Sequence, residues 1–403
     1  MEGNRKKLKI AGIIAEYNPF HNGHAYHIQK TRELGYTHIV AIMSGNYTQR
    51  GEPAIMLKDA RYKAALAGGV DLIIELPLPW AVSSAEGFAL GAVHLLNALG
   101  CIDAISFGSE SGNIEQIKEC ANKLRDLDNN PELHIMLKQG FSFPKARQLA
   151  FNKVNGESIT SSLINPNDLL GVEYVKALIN TSSNITPITI ERLSTQHDAS
   201  YVEDNFASAS FIRTLIKLGD NNAFNFVPNF AKEIYKSEIE KGIAPFNYKI
   251  FEANVLSYLR RLDIADFLKF ADVNEGLEYR IYDAVKNATS IDMLYSLIKS
   301  KRYTMSRIRR IILSAFLNNI KSNKQHTPPY LRCMGFNYRG LNVLKCAKEK
   351  ADLPIVTRYS DIKQLDEYSK SIFTLESMST DLYNLCIDKP LKSGTEKMFS
   401  PIK

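Results

Sequence analysis

Residues 10–28 read IAGIIAEYNPFHNGHAYHI, and this stretch decides the fold. Its first six residues are an unbroken apolar run, as a strand buried on both faces requires. The segment 16–22 carries the Pro and Asn of a turn, and Gly23 onward has the pattern of a helix. The reading is strand, tight loop, helix. His21 and His24 stand three residues apart where the loop becomes the helix, so both can project beside amides that lack an intrahelical acceptor. A helix N-terminus with free N–H groups and the positive end of the dipole is a ready anion site. A lone histidine there would be read as a cap, but two of them in HNGH behind an opening strand favour phosphate binding.

Beyond this unit the chain alternates regularly. Residues 38–43 (HIVAIM), 71–76 (DLIIEL), 102–107 (IDAISF) and 186–193 (TPITIERL) are predicted strands. Helices are predicted over 57–67 and 83–99, the second opening like a capping box. Short apolar strands separated by helices imply an α/β fold with a parallel sheet covered on both faces. Ligands on such sheets bind at the carboxyl ends of the strands. Those ends are polar here: 16–24, SGNYTQRGEP at 44–53, and GSESG at 108–112. SASFIRTLIKLG at 208–219 reads as a capped helix whose first turn presents Ser208, Ser210 and Arg213.

With 403 residues, 45% of them hydrophobic, two domains are expected, divided near Pro228 into residues 1–230 and a mainly helical 231–403. No apolar run is long enough to span a membrane and no signal-like core follows the N-terminus, so the expected location is cytoplasmic. The five cysteines are odd in number, scattered and without CxxC spacing, so free thiols are expected and no metal site is assigned. No GxxxxGK[ST] is present and no GxGxxG follows a strand, which removes a P-loop and a dinucleotide site.

Of the net +7, residues 231–403 carry +9 (29 Lys+Arg against 20 Asp+Glu), leaving −2 for the rest. Between Lys299 and Lys350, thirteen basic residues face Glu349 alone. That asymmetry points to a polyanionic partner. Lys301, Arg302, Arg307, Arg309, Arg310, Arg332 and Arg339 are the candidate RNA contacts. Tyr303, Tyr330, Phe336 and Tyr338 lie among them and suggest stacking on an unpaired loop.

NPFHNGH after a first strand, with SASFIR late in the same half, resembles the HIGH-type nucleotidyltransferase superfamily. The fuller set AEYNPFHNGH, MSGNYTQRGEPA, GVDLIIELP, SFGSE, NPNDLLGVEY, SASFIR and PPYLRCMGFN is similar to the bacterial tRNA(Met) cytidine acetate ligase family. The resemblance implies a Rossmann-like parallel-sheet nucleotidyltransferase domain that activates acetate with ATP, with magnesium expected as its companion ion. It implies acetyl transfer to N4 of the wobble cytidine of elongator tRNA(Met) and a basic helical domain that holds the tRNA. Matching positions put ATP against Ile14, Ala15, Glu16, Tyr17, Asn18, Pro19, Phe20, His21, Asn22, Gly23, His24, His27, Gly108, Asn167, Arg192 and Leu193. His21, His24, Ser210 and Arg213 take the catalytic roles, holding phosphates. Glu16, His197 and Asp198 are candidate acceptors for the amine proton, and the loop 44–53 is expected to close over the acyl site. Two alternatives remain: a small-molecule adenylyltransferase or acid–amine ligase using the same HNGH site, and a non-catalytic RNA-binding protein with a degenerate nucleotide fold.

Overall fold

A computed structural model describes residues 8–156, 165–192, 205–274 and 276–403. Strand β1 (Ile10–Ala15) lies in the middle of a seven-stranded sheet, with β2 (His38–Ser44) on one side and β4 (Ala104–Ser109) on the other, both parallel to it. β3 (Leu72–Leu76) continues beyond β2, and β5 (Thr186–Glu191) beyond β4, again in parallel. These five strands match the expected α/β sheet. Two more extend it. β6 (Leu331–Phe336) pairs antiparallel with β3, and the short β7 (Ile355–Val356) runs parallel to β6, giving the order β5-β4-β1-β2-β3-β6-β7.

Alternate residues of each strand enter different cores, as the period of two demands. Ile10, Val40, Ile42, Leu72 and Ile74 pack under α3 (Ala85–Ala98) and α4 (Pro166–Asn180). Ile13, Ile39, Ala41, Met43 and Ile73 pack on the other face with residues of α1 (Asn22–Glu33), α2 (Lys58–Ala67) and α5 (Ala209–Lys217). A third core is built by the helices between Tyr248 and Phe316, ending in α6 (Met305–Phe316), and it takes in Tyr47 and Leu78 from the N-terminal half.

The segment around PPYLRCMGF, read from the sequence only as the end of a basic run, is thus the sixth strand. Leu331 and Cys333 face one core and Met334 the other. It is followed by α7 (Tyr338–Lys350) and, after β7, by α8 (Glu367–Asn384), the longest helix among the described residues. The division expected near residue 230 therefore cuts across the sheet: its last two strands come from the C-terminal half.

Arg332, in the middle of β6, is only 3% exposed. Its guanidinium pairs with Glu75 of β3 at 2.9 Å, with Glu376 of α8 at 3.6 Å, and with Glu396. Lys58 joins Glu75 at 2.7 Å and Glu396 at 2.6 Å. Three carboxylates against two cations leave one charge in excess. Burial and the neighbouring charge of Glu75 push the Glu376 carboxyl up to about 7, and the Tyr330 hydroxyl donates to it at 2.8 Å. For Glu396 burial acts upward, but Lys58 and Arg332 outweigh it and hold the group down to about 2. Buried charges of this kind persist only when paired and hydrogen-bonded. The network fastens α2, β3, β6 and α8 into one body. Arg332 is therefore a structural residue and leaves the set of candidate RNA contacts.

Candidate active site

The chain leaves β1 toward α1 on one face, while β4 lies on the side of β1 opposite to β2. Sheet order thus reverses between β1 and β4, and the loops beyond their carboxyl ends diverge to leave a crevice. Ile14 and Ala15 close β1 at its rim, where burial gives way to partial exposure. Gly108 sits near the end of β4, and a side chain there would crowd Arg192, whose Cγ lies 3.3 Å from the position of a Cβ. Arg192 follows β5 directly. The elements expected to frame the site do converge.

Helix α1 begins as the turn residues dictate. His21 is its N-cap: Nδ1 accepts from the Gly23 amide at 3.1 Å. His24 answers reciprocally, its Nδ1 accepting from the His21 amide at 3.2 Å. The two rings stack at 3.7 Å between centroids. Gly23 permits this, because a Cβ there would fall 2.9 Å from His21 Cε1. So the histidines do cap, but capping occupies only Nδ1. With Nδ1 accepting, the neutral ring carries its proton on Nε2, and that N–H remains to donate.

Burial and the guanidiniums of Arg192 and Arg213 depress His21 to about 3. His24 is held well below its ordinary value by burial, then by His21 and Arg192. His27, whose Nε2 lies 2.9 Å from Ser106 Oγ, is lowered to about 4 by burial and Arg192. At neutral pH all three are uncharged donors, and the positive charge in the crevice comes from arginine.

Around them the loop 16–20 is held rigidly. Tyr17, at φ 45°, sets its ring edge-on to Phe20 and tilted against His24. Asn18 Oδ1 accepts from the Ile55 amide at 2.8 Å, the Asn18–Pro19 peptide is cis, and the Phe20 amide donates to the Tyr235 hydroxyl at 2.9 Å. Asn22 Nδ2 donates to the Asn205 carbonyl at 2.8 Å. From α5, Arg213 donates to the Asn18 carbonyl at 2.8 Å and to Ser210 Oγ at 3.1 Å. Ser208 is the N-cap of α5, accepting from the Phe211 amide at 3.2 Å. HNGH and SASFIR, far apart in sequence, are neighbours.

Residues the sequence pattern did not single out complete the frame. Glu110 accepts from the amides of Asn167 and Asp168, which brings Asn167 and the N-terminus of α4 to the loop after β4. The buried Asp168 in turn accepts from the amides of Glu110 and Ser111 and from Ser109 Oγ. Arg61 of α2 is fully buried and donates to the carbonyls of Glu16, Ser44, Gly45 and Met56, clamping the loops after β1 and β2 together. No local pattern marks Arg61: its partners are all backbone carbonyls brought there by folding.

The loop 44–53 is pinned. Tyr47 and Asn46 bond to Ser379 and Thr380 of α8, and Arg309 pairs with Glu52. Gly51, at φ 77°, abuts α6 so closely that a Cβ would lie 2.5 Å from the Arg310 amide. In the described conformation it is a strut between the two halves.

A family model described as HIGH nucleotidyl transferase matches residues 8–397. Proteins named tRNA(Met) cytidine acetate ligase from Thermoanaerobacter pseudethanolicus and Caldicellulosiruptor saccharolyticus are 41% and 42% identical to it. The first alignment covers 98% of this chain and all of the relative, the second 94% of each. Thermotoga maritima TmcAL bound with alpha-thio ATP superposes with a TM-score of 0.90 at 34% identity, over 98% of this chain and 99% of that one. Its apo form gives 0.91 at 33%. The chain belongs to the tRNA(Met) cytidine acetate ligase family. The resemblance carried by NPFHNGH and its companion motifs is borne out, and with it the α/β nucleotidyltransferase fold.

For a member of this family the remaining candidates divide by exposure. Lys301 is exposed and Arg302 half-exposed. Arg339 bonds to the hydroxyl of Tyr338, the one exposed aromatic of the four, at 71%. Tyr303 and Tyr330 are core residues and Phe336 is half-buried, so no platform of four rings exists. Arg307 donates to the Asp272 carbonyl and Asn274, while Arg309 and Arg310 pair with Glu52 and Asp272. Leu193, His197 and Asp198 lie outside the described residues. No helix among the described residues is long and apolar enough to cross a membrane.

Proposed function

We propose that the chain joins acetate to the N4 amine of the wobble cytidine of elongator tRNA(Met) at the expense of ATP. The observation that carries this is the meeting of two Nε2-protonated histidines with Arg192 and Arg213 at the switch point of the sheet. Acetate is ionised at neutral pH and needs positioning rather than a base. Its oxygen attacks the α-phosphorus, the bond to the bridging oxygen breaks, and pyrophosphate leaves. His21, His24, Arg192, Ser210 and Arg213 would hold the phosphate oxygens as charge moves onto them.

Magnesium would be held chiefly by the triphosphate and water, since among the described residues no three His, Cys, Asp or Glu side chains gather as ligands. There it would add positive charge beside the leaving pyrophosphate.

In the second step N4 attacks the acetyl carbonyl, AMP leaves, and the amine gives up a proton. Glu16 is our candidate acceptor: burial raises its carboxyl above the ordinary range, while its oxygen accepts the Gln49 amide at 2.6 Å. A carboxylate so raised is a better base near neutrality. The tRNA would lie against Lys301, Arg302, Tyr338 and Arg339 in the C-terminal half, and the enzyme would work in the cytoplasm.

The test is acetate-dependent exchange of labelled pyrophosphate into ATP, followed by nucleoside mass spectrometry of tRNA(Met) incubated with enzyme, ATP and acetate. Exchange together with one acetylated cytidine is expected. Exchange with another acid in place of acetate would support the small-molecule ligase instead, and acetylation that survives loss of the histidines would support the RNA-binding reading.

A further inference from the structure

The proposed chemistry uses none of the five cysteines, yet two of them meet. Cys101 stands in the turn from α3 into β4 and Cys346 on α7, and their thiols share a hydrogen bond. Both are half-buried, whereas Cys120, Cys333 and Cys386 are buried. The backbone on both sides of the pair is fixed. The Asp352 amide donates to the Ala98 carbonyl at 3.0 Å, and the Ile10 amide donates to Asp103 at 2.7 Å. Gly100, at φ 66°, lies so near the end of α7 that a Cβ would stand 2.4 Å from the Lys350 carbonyl oxygen. The thiols are therefore neighbours because two rigid segments are packed together. That is the situation in which a disulfide closes with little backbone movement.

We propose that Cys101 and Cys346 form a reversible disulfide, making this turn-to-helix contact a redox-sensitive modification site with a small-molecule disulfide as oxidant. Cys346, as thiolate, attacks one sulfur of the external disulfide and expels one thiolate. Cys101 then attacks the Cys346 sulfur of the mixed disulfide and expels the second. Two protein thiols are oxidised, the external disulfide is reduced to two thiols, and the protons pass to the expelled thiolates. Cys101 suits the second role, since burial and the adjacent Cys346 push its thiol up to about 12 and keep it protonated until a partner is in contact. The pair lies at the amino end of β4, away from His21 and His24 at the carboxyl ends. The cross-link would fix α7, which carries Lys345, Lys348 and Lys350, without touching the nucleotide crevice.

The folded full-length protein is incubated with excess oxidised glutathione at pH 8, alkylated, digested and mapped by mass spectrometry. Loss of two of the five thiols, one linked peptide joining Cys101 to Cys346, and reversal by dithiothreitol are expected. Cys101→Ser should stop at one glutathione on Cys346, and Cys346→Ser should lose no thiol. Five free thiols in the parent chain, a link to any other cysteine, or glutathione left unresolved on Cys346 would each overturn the proposal. The thiol count is independent of the ligase reading, so either can fail without the other.

Discussion

Arg213 donates to the backbone carbonyl of Asn18 at 2.8 Å across 195 positions of sequence. That bond ties the first turn of α5 to the loop that presents His21, so one guanidinium both shapes the crevice and supplies its charge. Replacing Arg213 with Ala should lower acetate-dependent pyrophosphate exchange by about 10²-fold, the usual effect of removing one preorganised donor. Exchange within a factor of two of the parent would remove Arg213 from the phosphate site.

His21→Asn separates capping from phosphate binding. Asparagine is an excellent N-cap, so folding stability should change by no more than about 0.5 kcal/mol. The Nε2 donor is lost, however, and exchange should fall by about 10²-fold. Equal losses of stability and exchange, followed by urea denaturation and the exchange assay, would return His21 to a purely structural role.

The depressed histidines make the fold acid-sensitive. Their ordinary value in the unfolded chain is 6.5, against about 3 for His21 and about 4 for His27 in the folded one. As pH falls below 6.5 the unfolded state takes up protons first, so stability is lost progressively toward pH 4. His27→Gln, which can still bond to Ser106, should flatten part of that slope in urea midpoints taken at pH 7.5, 6 and 5. An unchanged slope would count against the burial assigned to His27.

At the buried network, Arg332→Met should cost about 3–5 kcal/mol, because Glu75, Glu376 and Glu396 would be left facing Lys58 alone. Glu376 runs the other way. Raised to about 7 in the folded chain against 4.5 unfolded, its contribution is present at low pH and lost as pH rises through 7. Glu376→Gln should therefore gain stability relative to the parent between pH 6 and pH 8. A constant difference across that interval would show that Glu376 is already ionised at pH 6.

On the basic surface, replacing Lys301 and Arg302 with Glu should weaken tRNA binding and reduce the steepness of its salt dependence by about one to two counterions. Pyrophosphate exchange should survive. Arg309→Glu is expected to behave differently, because Arg309 is tied to Glu52 in the loop 44–53. Both activities should fall together there, and filter binding beside the exchange assay will tell the two classes apart.

What the sequence determined by itself is everything carried by near neighbours. Periodicity marked five strands of the parallel sheet, the turn chemistry of NPFHNGH placed two histidines at a helix N-terminus, and the order of elements put the polar loops at one rim. Tertiary structure alone decided how the charges are spent. Arg332 and Arg302 look equivalent in a basic run, yet one lies at the centre of three carboxylates drawn from β3, α8 and the chain's last turn, and the other at the surface. Tyr330 and Tyr338 divide in the same way, into core and solvent. The reason is physical: strand and helix patterns are set by residues a few positions apart, whereas the worth of a charge depends on what folding brings beside it. NPFHNGH thus announced an anion site from sequence, but its pairing with Arg192 and Arg213, and the neutral state of its histidines, exist only in the folded chain.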